Sequence, residues 1–74
     1  MDKKEKLLEL INVVLSNRGK TNVASISREQ NLRSDIGLDS MDLAELTVRI
    51  EMEFDVDVFA DGLITTVGEI LDKI

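Results

Sequence analysis

Seventy-four residues suffice for one small domain with a thin core, and a hydrophobic content of 43% sets the chain apart from sequences too polar to fold. With neither cysteine nor histidine, it has no disulfide, no thiolate and no imidazole, which excludes most metal-site and neutral-pH acid–base mechanisms. The net charge of −6 is uneven: residues 1–20 carry five basic and three acidic groups, whereas residues 39–61 carry eight acidic groups and one arginine, a distribution that disfavours nucleic acid and favours basic protein partners.

Residues 3–17 read as a first helix, because Leu7, Leu10, Ile11 and Val14 recur on one helical face. Asp2 and Glu5 have the spacing of a capping box, and Gly19 supplies a stop. No secretory apolar segment follows Met1 and no run is long enough to span a bilayer. The expectation is a cytoplasmic protein without membrane insertion. Residues 19–39 form a long connection, pinned by Val23, Ile26, Leu32 and Ile36, with Ser27 and Gln30 spaced to cap a single turn. Residues 40–54 read as the second helix, with Asp39 or Ser40 as its N-cap and with Asp39 and Asp42 at its positive end. Glu45 and Arg49 are spaced for an i, i+4 ion pair.

Residues 55–59 alternate like a strand but have no partner, so they read as extended loop. Residues 60–64 have room for one helical turn, interrupted by Gly62. Thr66-Val67-Gly68-Glu69 is a capping box opening a last helix, whose apolar stripe is Val67, Ile70, Leu71 and Ile74. The fold class is therefore all-α: a small three-to-four-helix bundle with a long first loop, a single free-standing monomeric domain over residues 1–74. The acidic run at 55–62 resembles a calcium loop but fails the EF-hand spacing, since Phe59 and Ala60 stand where a ligand and the turn glycine belong. No metal site is expected.

The second helix carries two apolar stripes. Leu43, Leu46, Thr47, Ile50 and Phe54 share one face, while Met41, Ala44, Val48 and Met52 share a nearly opposite one. Asp42, Glu45 and Glu53 lie along one flank and Glu51 along the other. The first stripe is the wider and should be core. The second then faces solvent as a partner-binding surface with an acidic rim, unless the first loop folds over it.

Ser40, between Asp39 and Asp42, admits two readings. One is a helix N-cap. The other is a nucleophile, but no histidine is present and no lysine lies between Lys20 and Lys73, so another protein would have to activate it. An unmodified acidic helical adaptor fits the first reading.

Asp35-Ile36-Gly37-Leu38-Asp39-Ser40-Met41 resembles the modification motif of acyl carrier proteins, Asp-Leu-Gly-x-Asp-Ser-Leu. The resemblance runs on through Glu45-Leu46 and Glu51-Met52-Glu53-Phe54-Asp55 to Ile64-Thr65-Thr66-Val67. It implies a four-helix bundle that is not an enzyme but a substrate of other enzymes. By the same resemblance Ser40 is the attachment point of covalent 4′-phosphopantetheine, whose thiol holds acyl intermediates as thioesters for fatty-acid, polyketide or related lipid synthesis. Asp39 matches the aspartate beside the modified serine, expected to help the transferase and its metal engage. Met41, Asp42, Glu45, Val48 and Glu51 match the partner-docking face. The implied partners are a phosphopantetheinyl transferase and acyl-activating, acyl-transfer and condensing enzymes with basic docking surfaces. An aminoacyl or peptidyl carrier is the alternative within the class. Met41 in place of the commoner leucine, Arg49 on an otherwise acidic helix, Met52 where an acid is common and a short 54–64 segment depart from the fatty-acid carriers and suit a specialised pathway.

Overall fold

The helices form where apolar periodicity and capping chemistry coincide. In the computed structural model, which describes residues 2–59 and 64–74, they are α1 (Lys3–Asn17), α2 (Ser40–Phe54) and α3 (Val67–Lys73). Among the described residues there is no strand, only an isolated antiparallel bridge between Asn31 and Thr66. The all-α expectation holds. The turn expected at residues 60–64 falls almost wholly on 60–63, outside the described residues.

α1 begins at Asp2, whose carboxylate accepts from the Lys4 backbone N–H at 2.8 Å. Glu5 does not reciprocate, so this is a single cap rather than the expected capping box. Leu7, Leu10, Ile11, Val14 and Leu15 are buried along one face. The helix closes through Gly19: its N–H donates to the Ser16 carbonyl at 3.1 Å, and the Lys20 N–H donates to Leu15 at 2.8 Å. This paired closure requires a left-handed residue, and Gly19 has φ +70°.

The long connection packs into the core. Ile26, Leu32, Ile36 and Leu38 are buried, and Val23 packs against them. Asn12 ties the loop to α1: its side-chain amide donates to the Val23 carbonyl at 3.0 Å and accepts from the Val23 N–H at 2.8 Å. Ser27 and Gln30 form the expected single turn, with the Gln30 side chain accepting from the Ser27 N–H at 2.8 Å.

A second turn spans 31–37. The Asn31 side chain accepts from the N–H groups of Arg33 and Ser34 at 2.8 and 3.0 Å, and the Arg33 carbonyl accepts from Gly37 at 3.1 Å. Such side-chain caps let a short segment satisfy its own backbone.

α3 opens with the Thr66–Glu69 capping box. Helices leave their first N–H groups without internal partners. Here Val67 donates to the Gln30 carbonyl at 3.1 Å and Gly68 to the Arg28 carbonyl at 3.0 Å, so the long loop docks on the start of α3. Arg28 adds an ion pair to Asp72 at 2.7 Å. Val67 and Ile70 are buried and Leu71 and Ile74 partly so. They complete a core with α1, the loop and the inner face of α2, where Leu43, Leu46 and Ile50 are buried.

Candidate functional site

The site is built around the start of α2. Asp39 is the N-cap: its carboxylate accepts from the Asp42 N–H at 2.9 Å, and the Asp42 carboxylate accepts from the Asp39 N–H at 3.1 Å. Ser40 is thus the first helical residue and caps nothing. The chain reaches Asp39 through Gly37, whose φ of +95° is open to glycine and disfavoured for other residues. The Gly37 carbonyl accepts from Lys20 Nζ at 3.0 Å.

Asp42 corrects an expectation. The resemblance puts it on the docking face, but its side chain is fully buried. It faces the C-terminal end of α1, where Lys20 Nζ donates to one carboxylate oxygen and Arg18 Nη1 lies 3.2 Å from the other. The Arg18 approach is an ion pair without hydrogen-bond alignment. Arg18 also reaches Asp39 at 3.3 Å, and Lys20 reaches it at 3.6 Å. A carboxylate leaves water only when paired, and the capping box together with the two cations supplies that pairing. The Asp42 N–H, followed by the two cations, holds the Asp39 carboxyl below its ordinary range. The hydrogen bond to Asp42 pushes Lys20 upward.

Ser40 is exposed. Its Oγ accepts a hydrogen bond from Arg33 Nη2 at 3.0 Å. Beside it opens a cleft of about 520 Å³, walled by Leu43, Ala44 and Thr47 of α2 and by Phe59 and Ile64 across from them; Arg33, Ser40 and Thr65 also line it. The hydroxyl therefore stands at the positive end of a helix, next to a guanidinium and an apolar trough. A phosphate ester of a long, flexible alcohol fits that combination of open access, positive potential and apolar wall.

The second stripe of α2 is uncovered. Met41, Val48 and Met52 are 70%, 56% and 82% exposed, and Ala44 is exposed as well. The first loop does not fold over them. The acidic rim is more compensated than the sequence implies. Glu45 accepts from Arg49 Nε and from the Asn17 side chain, each at 3.0 Å, and these bonds, Asn17 first, lower its pKa. Glu53 pairs with Lys6 at 3.4 Å. Glu51 remains exposed, as do Asp55 and Asp57 just past the helix.

Arg18, Lys20 and Arg33 are site residues that the sequence reading passed over. The excess of basic groups in residues 1–20 was the available signal for the first two, since it sits opposite an acidic helix start. Arg33 gave no signal of its own, because only the turn at 31–37 brings it to Ser40.

A family model described as a phosphopantetheine attachment site matches residues 5–74. This chain belongs to the acyl carrier protein family. Among curated proteins, it is 35% identical over 72 residues to an acyl carrier protein of Picosynechococcus, covering 95% of this chain and 89% of that one. It is 38% identical over 74 residues to one of Saccharopolyspora erythraea, covering 97% and 77% of the two chains. A mitochondrial acyl carrier protein of Saccharomyces cerevisiae is 42% identical over 62 residues, 77% of this chain and 49% of that one. No solved structure matches significantly. The family's prosthetic group is 4′-phosphopantetheine, and the relatives are carrier proteins. Among the described residues, no helix is long and apolar enough to cross a membrane.

Proposed function

We propose that Ser40 is the residue that bears 4′-phosphopantetheine and that the carrier presents acyl groups as thioesters to a series of docking enzymes. The observation that carries this reading is the hydroxyl itself. Asp39 does the capping, so Ser40 is left exposed at the first helical position with no structural task in α2. In loading, the Ser40 oxygen attacks the pantetheine-bearing phosphorus of coenzyme A. The Oγ–P bond forms, the pyrophosphate bond breaks, 3′,5′-ADP leaves with the electron pair, and the hydroxyl proton passes to a base of the transferase. Among the described residues the neighbouring carboxylates, Asp39 and Asp42, are already engaged in the capping box and the Lys20 contact, so the base comes from the transferase. Once attached, the group supplies the thiol that this cysteine-free chain lacks.

Met41, Val48 and Met52 are the surface for partners, because unbranched, polarizable side chains adapt to several surfaces in turn. Glu51, with Asp55 and Asp57 beyond it, supplies exposed negative charge that attracts basic docking sites. Asp42 is not part of this surface. Acyl-activating, acyl-transfer and condensing enzymes are the partner classes, and lipid or polyketide synthesis is the reaction setting that suits an acyl cargo. Tethering raises the cargo's effective concentration at each docked enzyme.

The test is intact mass. Incubation with coenzyme A and a broad-specificity phosphopantetheinyl transferase should add one pantetheinyl phosphate unit to the wild type and none to S40A. An unmodified wild type, under conditions that modify a known carrier, would sink the assignment. Loading with acyl-activating against amino-acid-activating enzymes separates an acyl carrier from an aminoacyl or peptidyl one.

A further inference from the structure

We infer that Arg33 clamps the phosphodiester on Ser40 and so directs the attached arm along the cleft rather than over the docking stripe. This rests on Ser40 being the attachment site. Three observations support it. The first is contact: Arg33 Nη2 lies 3.0 Å from Ser40 Oγ. That oxygen becomes the bridging oxygen of the ester, and the non-bridging oxygens, two bonds from it, would come within reach of the guanidinium fork. A planar guanidinium suits such oxygens, and charge-assisted bonds to phosphate are roughly twice as strong as neutral ones.

The second is preorganisation. Arg33 sits in the turn at 31–37, its N–H held by the Asn31 side chain at 2.8 Å and its carbonyl by Gly37 at 3.1 Å. On its N-terminal side Leu32 is fully buried, donates to the Thr65 carbonyl at 2.9 Å and accepts from Leu38 at 3.0 Å. The backbone of Arg33 is therefore fixed relative to the start of α2. The third is charge. Arg18, Arg28 and Arg49 each face a carboxylate at 3.3 Å or less. Among the described residues Arg33 pairs with no carboxylate and points at a neutral hydroxyl. A phosphodiester supplies the negative charge that this position otherwise lacks.

The direction follows from the helix. At roughly 100° per residue, Ser40, Leu43, Ala44 and Thr47 lie on the cleft side of α2, while Met41, Val48 and Met52 centre roughly 100° away around the axis. A clamp on the cleft side leaves the stripe open for a docking partner while the arm is stowed. Because the clamp is solvent-exposed, it is also weak, so a docked enzyme can draw the arm out without a large barrier.

The experiment is 31P NMR of the holo protein at low salt. R33Q should displace the phosphodiester resonance from its wild-type position, R33K should restore part of the displacement, and R28Q, which removes an arginine paired with Asp72, should leave it unmoved. In the wild type, the Arg33 Nε–H signal should shift between apo and holo forms, and added salt should shrink both effects. Identical phosphorus resonances in wild type and R33Q, with an unchanged Arg33 signal on loading, would overturn the clamp while leaving the Ser40 assignment intact. Failure of the wild type to accept the group would overturn both.

Discussion

Removing the Asp42 carboxylate should be among the most damaging single changes to this carrier, although the residue lies just past the Asp35–Met41 motif and is not part of the apolar core. When one partner of a buried ion pair is deleted and the orphaned charge stays dry, the cost is about 3–5 kcal/mol. Here the partners are not dry: the side chains of Arg18 and Lys20 are 34% and 33% exposed and can rehydrate. What remains is the loss of two partly screened charge contacts, about 1 kcal/mol each, and one arm of the capping box, about 0.5–1 kcal/mol. D42A should therefore lose about 2–3 kcal/mol, against a total of roughly 4–11 kcal/mol for a chain of this length. In urea, with a slope of about 1 kcal/mol per molar for a domain this small, the midpoint should fall by about 2–3 M. R18Q and K20Q should each cost less than D42A, since each leaves the other cation in place. A D42A midpoint within about 0.5 M of wild type would refute the view that this buried carboxylate holds the start of α2 to the end of α1.

Gly37→Ala should destabilise by about 1–2 kcal/mol from backbone strain; no heavy atom lies within 4 Å of the added carbon, so an unchanged melting temperature would mean that the segment simply rearranges. Asp39, Glu45 and Glu69 all have folded pKa values held below the ordinary carboxylate range. Their stabilisation is thus present above the unfolded carboxylate values and is lost as pH falls through the folded ones. Melting temperature should hold from neutrality to about pH 5 and decline below about pH 4, with a shallower decline in E69Q, whose wild-type carboxylate accepts from the Thr65 hydroxyl at 2.7 Å. For docking, E51K should slow association with a basic partner enzyme at low salt more than E45K, because Glu45 is already paired with Arg49; equal rates for wild type and E51K would count against the acidic rim.

Local signals made most of the fold readable. The ends of α1, α2 and α3 follow from Gly19, Asp39 and the Thr66–Glu69 box, each acting on neighbours a few residues away. The two stripes of α2 were equally legible, because periodicity alone separates Leu46 from Val48. The failures share a cause, which is distance along the chain. Asp42 reads as one more acid on an acidic helix until Arg18 and Lys20, more than twenty positions away, are brought against it. Arg33 reaches Ser40 only because Asn31 folds the intervening turn. Whether Asp39 or Ser40 caps α2 could not be settled from composition, since both are good caps. The reciprocal bond from Asp42 decides it in favour of Asp39.

That capping choice has a consequence for how the four sides of α2 divide their tasks. The side bearing Leu43, Leu46 and Ile50 is buried, and the one bearing Asp42, Glu45 and Glu53 is tied to α1 or its flanking residues by Lys20, Asn17 and Lys6. These two anchor the helix. The other two, the Ser40 cleft and the Met41–Val48–Met52 stripe, open to solvent, and on the proposed function they are the sides that change occupants. Had Ser40 been the cap, modifying its hydroxyl would have removed an N-terminal bond worth about 1 kcal/mol from a domain with little to spare. With Asp39 as cap and Asp42 braced behind it, the hydroxyl can be esterified without touching the bonds that start the helix. If Ser40 bears the prosthetic group as proposed, the two aspartates around it act as structural insulation, letting a carrier with so thin a core accept chemistry at the first residue of α2.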